Sequence, residues 1–82
     1  MDELKPIHSK RKSFYKKAQV STEGGKKQLL SYDTLVAEIE DGKATVFGVY
    51  SKTTLRHIIE FLKQNDLKAV NREQIEADYI KK

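Results

Sequence analysis

Cationic, hydroxyl and imidazole side chains crowd into two short stretches of this chain, and anion recognition is the chemistry they suit. The first stretch is His8-Ser9-Lys10-Arg11-Lys12-Ser13-Phe14-Tyr15-Lys16-Lys17, with five formal positive charges and no acid. The second is Tyr50-Ser51-Lys52-Thr53-Thr54-Leu55-Arg56-His57. At the start of a helix, free backbone N–H groups and a partial positive charge already favour phosphate. Lys52 and Arg56 would add full charges there, and Ser51, Thr53, Thr54 and His57 are candidate anion contacts. A competing reading is purely local. Ser51, Thr53 and Thr54 would cap the helix, Arg56 would pair with Glu60 one turn on, and the basic leader would be a solvated tail.

Other chemistry finds less support. There is no cysteine, and His8 and His57 are the two histidines, so a zinc site lacks ligands. Asp33, Glu38, Glu40 and Asp41 alternate along strands without the spacing of a calcium loop. Ser31 and Ser51 are candidate nucleophiles, with His57 the base on a predicted rigid element. A nucleophile needs that base within hydrogen-bond reach and a third group to orient it, and no nucleophile elbow is present. Gly24-Gly25-Lys26-Lys27 lacks the first glycine and the final Ser/Thr of a phosphate loop. We therefore expect no catalytic residues, no metal and no cofactor.

The elements that would position these residues can be read from periodicity. From Phe14 the chain alternates, with Phe14, Lys16, Ala18 and Val20 on one side, which predicts a strand. Ser21 to Gly25 reads as a turn, Lys27 to Tyr32 as a second strand, and Asp33 as a short break. Asp41-Gly42 is the preferred pair for a two-residue type I′ hairpin between Leu35–Glu40 and Lys43–Tyr50. That loop sets a register in which Glu40 faces Lys43, Ile39 faces Ala44, Ala37 faces Val46 and Leu35 faces Gly48. Leu35, Ala37, Ile39, Ala44 and Val46 then share one apolar face. Val36, Phe47 and Val49 fall on the opposite, polar face, where they are a candidate protein interface. Leu55, Ile58, Ile59 and Leu62 follow at helical spacing with Phe61 at their flank, and Lys52, Arg56, Glu60 and Lys63 point away. Asn71 with Gln74 marks the cap of a short second helix carrying Ile75 and Tyr79. The class is α+β: an antiparallel β-meander of three to four strands packed by one amphipathic helix, with a short C-terminal helix.

Eighty-two residues allow one domain, expected over residues 13–82 behind a flexible basic arm at 1–12. The net charge of +4 is uneven. Residues 1–27 hold eight Lys and Arg against three acids, and the rest of the chain is close to neutral. A basic arm favours a polyanion or an acidic protein surface. A cysteine-free small domain points to a reducing cytoplasm. No apolar run approaches the roughly 20 residues of a membrane span, and the charged start is unlike a signal peptide.

Several strings together resemble a family of short uncharacterised proteins from phages, plasmids and other mobile elements of Gram-positive bacteria and some archaea. They are Ser13-Phe14-Tyr15, Lys17-Ala18, Leu30 to Thr34, Ile39 to Lys43, Gly48 to Ile58 and Glu60 to Asn65. The most specific is Tyr50-Ser51-x-Thr53-Thr54-x-Arg56-His57-Ile58. The resemblance covers roughly residues 13–79 and implies a genomic setting rather than a mechanism. The expected function is a non-enzymatic accessory protein, monomer or homodimer, that binds DNA or RNA phosphates through Lys10, Arg11, Lys12, Lys16, Lys17, Lys52 and Arg56. The alternative is an effector that binds a host protein.

Overall fold

The computed structural model describes residues 2–8, 10, 13–14, 16–48 and 51–80. Five strands come first, β1 (Asp2–Glu3), β2 (Ala18–Glu23), β3 (Lys26–Ser31), β4 (Thr34–Glu40) and β5 (Lys43–Val46). Two helices follow, α1 (Lys52–Gln64) and α2 (Arg72–Tyr79). The sheet is antiparallel throughout, and its strands lie in chain order. This is the expected α+β meander with one long helix and one short C-terminal helix. Among the described residues, no helix is long and apolar enough to cross a membrane.

Three two-residue loops build the meander. Gly24-Gly25, Tyr32-Asp33 and Asp41-Gly42 all have positive φ at both central positions. That is the type I′ pattern, whose twist matches the strands it joins. The Asp41-Gly42 hairpin has the register read from the sequence, with Glu40 opposite Lys43, Ile39 opposite Ala44 and Ala37 opposite Val46.

Beyond Ala37 the register departs from the simple alternation. The β3–β4 ladder shifts between Leu29, which faces Ala37, and Leu30, which faces Leu35. Val36 is the extra residue of this bulge. An inserted residue reverses which side chains face the core. Val36 is accordingly buried at 0% exposure, while Leu35 is 38% exposed. Two sequence expectations are corrected here: Val36 is not part of a surface, and Leu35 does not share the apolar face.

Strand β2 starts at Ala18 rather than near Phe14, because Lys16 has φ 63° and the Lys17 N–H donates to Phe14 O at 2.9 Å. The strand then runs on to Glu23, through residues expected to turn.

The start of the chain also differs from a free arm. Asp2–Glu3 pairs with β2, the Leu4 N–H donates to Ala18 O at 2.8 Å, and the Leu4 side chain is in the core. From there the segment crosses α1. Gln64 Nε2 donates to Lys5 O at 2.7 Å. The His8 N–H donates to both carboxylate oxygens of Glu60, at 2.9 and 3.2 Å. Glu60 is thereby buried, 1% exposed, instead of pointing to solvent.

Helix α1 is capped as read. Ser51 Oγ accepts from the Thr54 N–H at 3.1 Å. At the other end, the Leu67 N–H donates to Leu62 O, the Asp66 N–H donates to Lys63 O, and Asp66 takes φ 60°. That is a Schellman closure with aspartate in glycine's usual place. The buried face of α1 is Thr54, His57, Ile58, Phe61 and Leu62, with Leu55 and Ile59 only partly covered. The helix is therefore turned about its axis relative to the apolar stripe in the sequence. In α2, Asn71 Oδ1 accepts from the Gln74 N–H, and Gln74 Oε1 accepts from the Val70 N–H. Ile75 is buried, and Ile80 forms a parallel bridge with Val46 on the β5 edge.

Candidate nucleic-acid interface

The first turns of α1 split into two ridges with different tasks. Thr54 and His57, three residues apart, lie on the inner ridge. There they meet Ser31, the last residue of β3. Ser31 Oγ shares hydrogen bonds with Thr54 Oγ1 at 3.0 Å and with His57 Nδ1 at 2.8 Å. Ser51 Oγ extends the chain by donating to Thr54 Oγ1 at 3.3 Å. Among the described residues, no buried side-chain nitrogen or oxygen lacks a partner. This satisfaction is what lets two hydroxyls and an imidazole enter so small a core.

Ser31 and His57 thus stand in the contact a nucleophile and its base would make. The Ser31 side chain, however, is 2% exposed and already shared between two partners. The imidazole accepts or donates at Nδ1 to Ser31 and packs against two aromatic rings. Its ring centroid lies 4.6 Å from Phe14 in an edge arrangement and 5.9 Å from Tyr32. Thr54 and His57, expected as anion contacts, are instead turned inward. Ser51 is spent on the cap.

Thr53 and Arg56, again three residues apart, form the outer ridge and line a cleft of about 330 Å³. Its other lining residues are Ser13, Phe14, Lys17, Tyr32 and His57. Chain turns set these walls. The turn closed by the Lys17 N–H brings Lys17 beside Phe14, and the Tyr32 N–H donates to Lys17 O at 2.8 Å. That bond ties the β3–β4 turn to the segment before β2. Tyr32 itself has φ 52° and is 51% exposed.

The cleft is positive. Lys17 and Arg56 contribute full charges, and neither forms a salt bridge among the described residues. The expected Arg56–Glu60 pair is absent there because His8 and Gln64 occupy the Glu60 carboxylate. The first turn of α1 carries no acid to offset its N-terminal dipole.

Of the seven cations expected to bind nucleic acid, the structure brings Lys17 and Arg56 together. Lys10, Lys16 and Lys52 are exposed but lie outside the cleft lining. Lys10 falls between His8, held by Glu60, and Ser13 on the cleft wall. Arg11, Lys12 and Val49 lie outside the described residues. Phe47 is on the surface, 46% exposed, and its N–H donates to Val36 O. The sequence reading missed Ser13, Phe14 and Tyr32 as cleft residues. A signal for Tyr32 did exist: with Asp33 it is the whole link between two strands, and tyrosine is an unusual choice where a two-residue loop demands positive φ.

No curated protein and no solved structure matches the chain. A family model does match, over residues 3–77, and the chain belongs to that family, DUF8033, a family of unknown function.

Proposed function

We propose that this protein is a small non-enzymatic accessory protein of a phage or other mobile element, and that it binds nucleic-acid phosphates at the Lys17–Arg56 cleft. One observation carries the reading. Two cations distant in the sequence line one concave site beside the N-terminus of α1, without a carboxylate partner among the described residues. Lys10, Lys16 and Lys52 extend the positive field outside the cleft. Phosphate contacts of this type position a protein without reading base sequence. The closed Ser31–Thr54–His57 cluster favours a structural role for the buried serine and histidine. The cysteine-free sequence suits a cytoplasmic setting.

Fluorescence anisotropy with a labelled oligonucleotide over a salt series tests this. Apparent affinity should fall steeply with salt. Lys17→Gln and Arg56→Gln should each flatten the log–log slope by about 0.7 on a single strand or about 0.9 on duplex, one phosphate contact apiece. Absence of binding at low salt removes the proposal, as does a slope that both variants leave unchanged.

A second reading, an effector that binds a host protein, has one observation in its favour. Leu35 and Phe47 are both exposed large apolar residues around the β4 bulge. Recovery of a defined partner that survives nuclease treatment and is lost in Phe47→Ser would favour it.

A further inference from the structure

We propose that the cleft accommodates one unpaired nucleobase, stacked on Tyr32, while Lys17 and Arg56 hold the adjoining phosphate, so that the protein selects single strands over duplex. This rests on reading the cleft as a phosphate site and adds the class of strand it takes.

Phosphate recognition alone requires no aromatic wall. Here Tyr32, Phe14 and His57 form a continuous aromatic corner, with Tyr32 the half-exposed member. The backbone at Tyr32 strengthens the inference. Left-handed φ is unfavourable for a bulky side chain, and asparagine or glycine fits a type I′ turn better. Tyrosine at that position presents a flat ring at the rim of a positive cleft. Strain held beside a binding site is a recognised mark of function.

Size agrees with this occupant. About 330 Å³ lies at the lower end of pockets that take small organic ligands. It suits one heteroaromatic ring with its phosphate, whereas a base pair inside a helix cannot offer a free face to Tyr32. Stacking of this kind tolerates any base, because every base has a π-face.

Three labelled probes of equal length separate the outcomes at fixed low salt: an oligothymidylate, the same backbone with abasic sites, and a duplex. Stacking is worth roughly 1–3 kcal/mol per base, which corresponds to a loss of about 5- to 150-fold when it is removed. The oligothymidylate should therefore bind at least about fivefold more tightly than the abasic strand, and more tightly than the duplex; a duplex bound as tightly as the oligothymidylate overturns the claimed strand selection. Tyr32→Phe should keep that preference. Tyr32→Asn, the residue suited to the turn, should abolish it while still melting cooperatively. Equal affinity of the natural protein for base-bearing and abasic strands overturns the inference and leaves the phosphate reading intact. That comparison needs no variant to fold. If none of the probes binds, both readings fall together.

Discussion

Ser31→Ala tests the polar cluster that joins β3 to α1. The substitution deletes a single oxygen that serves two buried partners, Thr54 Oγ1 at 3.0 Å and His57 Nδ1 at 2.8 Å. Thr54 Oγ1 keeps its contact with Ser51 Oγ at 3.3 Å, so most of the loss falls on the imidazole. A hydrogen bond contributes about 1 kcal/mol net, and a buried partner left without it costs about 1–3 kcal/mol. Together these give a destabilisation of about 2 kcal/mol. In a domain of this size 1 kcal/mol moves Tm by about 4–8 °C, so the expected fall is about 8–16 °C. Thermal melting followed by circular dichroism measures it directly. Ser21→Ala, on a β2 position that faces away from α1, is the control and should change stability by less than about 0.5 kcal/mol. A double-mutant cycle with Thr54→Val adds a second test. If the hydroxyls act as one network, Ser31→Ala should cost less in the Thr54→Val background, with a coupling of at least about 0.5 kcal/mol. A Tm for Ser31→Ala indistinguishable from that of Ser21→Ala, together with zero coupling, would refute the argument that this cluster holds α1 on the sheet.

Three further substitutions probe features the sequence did not reveal. Glu60→Ala removes the acceptor for the His8 N–H and for Gln64 Nε2; hydrogen bonds to charged groups are worth roughly 1.5–3 kcal/mol. Stability should drop accordingly, and trypsin should cut faster after Lys10; an unchanged N-terminal cleavage rate would show that the carboxylate does not hold this segment. Val36→Ala should cost about 2 kcal/mol and Phe47→Ala less than about 1 kcal/mol, since only the first side chain is fully buried. The opposite order in chemical denaturation would mean that the bulge does not turn Val36 inward.

The pattern of success and failure in the sequence reading follows from what periodicity encodes. The β4–β5 hairpin was legible because a turn pair and an alternation independently gave one register. The cap at Ser51 was legible because hydroxyls before an apolar helical stripe have few other uses. The bulge at Val36 was not, since two adjacent apolar residues do not say which of them faces in. Glu60 was misread for a related reason. A carboxylate opposite an apolar stripe normally meets water, and here a backbone N–H from the far end of the chain, with Gln64 Nε2, makes its burial tolerable. Tyr32 and Ser31 sat in plain view, but their importance comes from what crosses them, Lys17 on one side and α1 on the other.

The Ser51–His57 segment divides into two ridges that face different surroundings. Helical spacing places Thr54 and His57 on one ridge and Thr53 and Arg56 on the next. The inner ridge is fixed to β3 by Ser31, and the residue that follows Ser31 in the chain is Tyr32. Tyr32 is in turn tied through its N–H to Lys17 O. The same few hydrogen bonds that close the core therefore also set the spacing between the aromatic wall and the two cations. A cleft whose walls are held in this way loses little freedom when a ligand enters, and preorganisation of that kind raises affinity without added contact area. This links core and surface in a measurable way. A core substitution such as Ser31→Ala should weaken oligonucleotide binding even well below its melting temperature, although Ser31 is not itself part of the cleft lining.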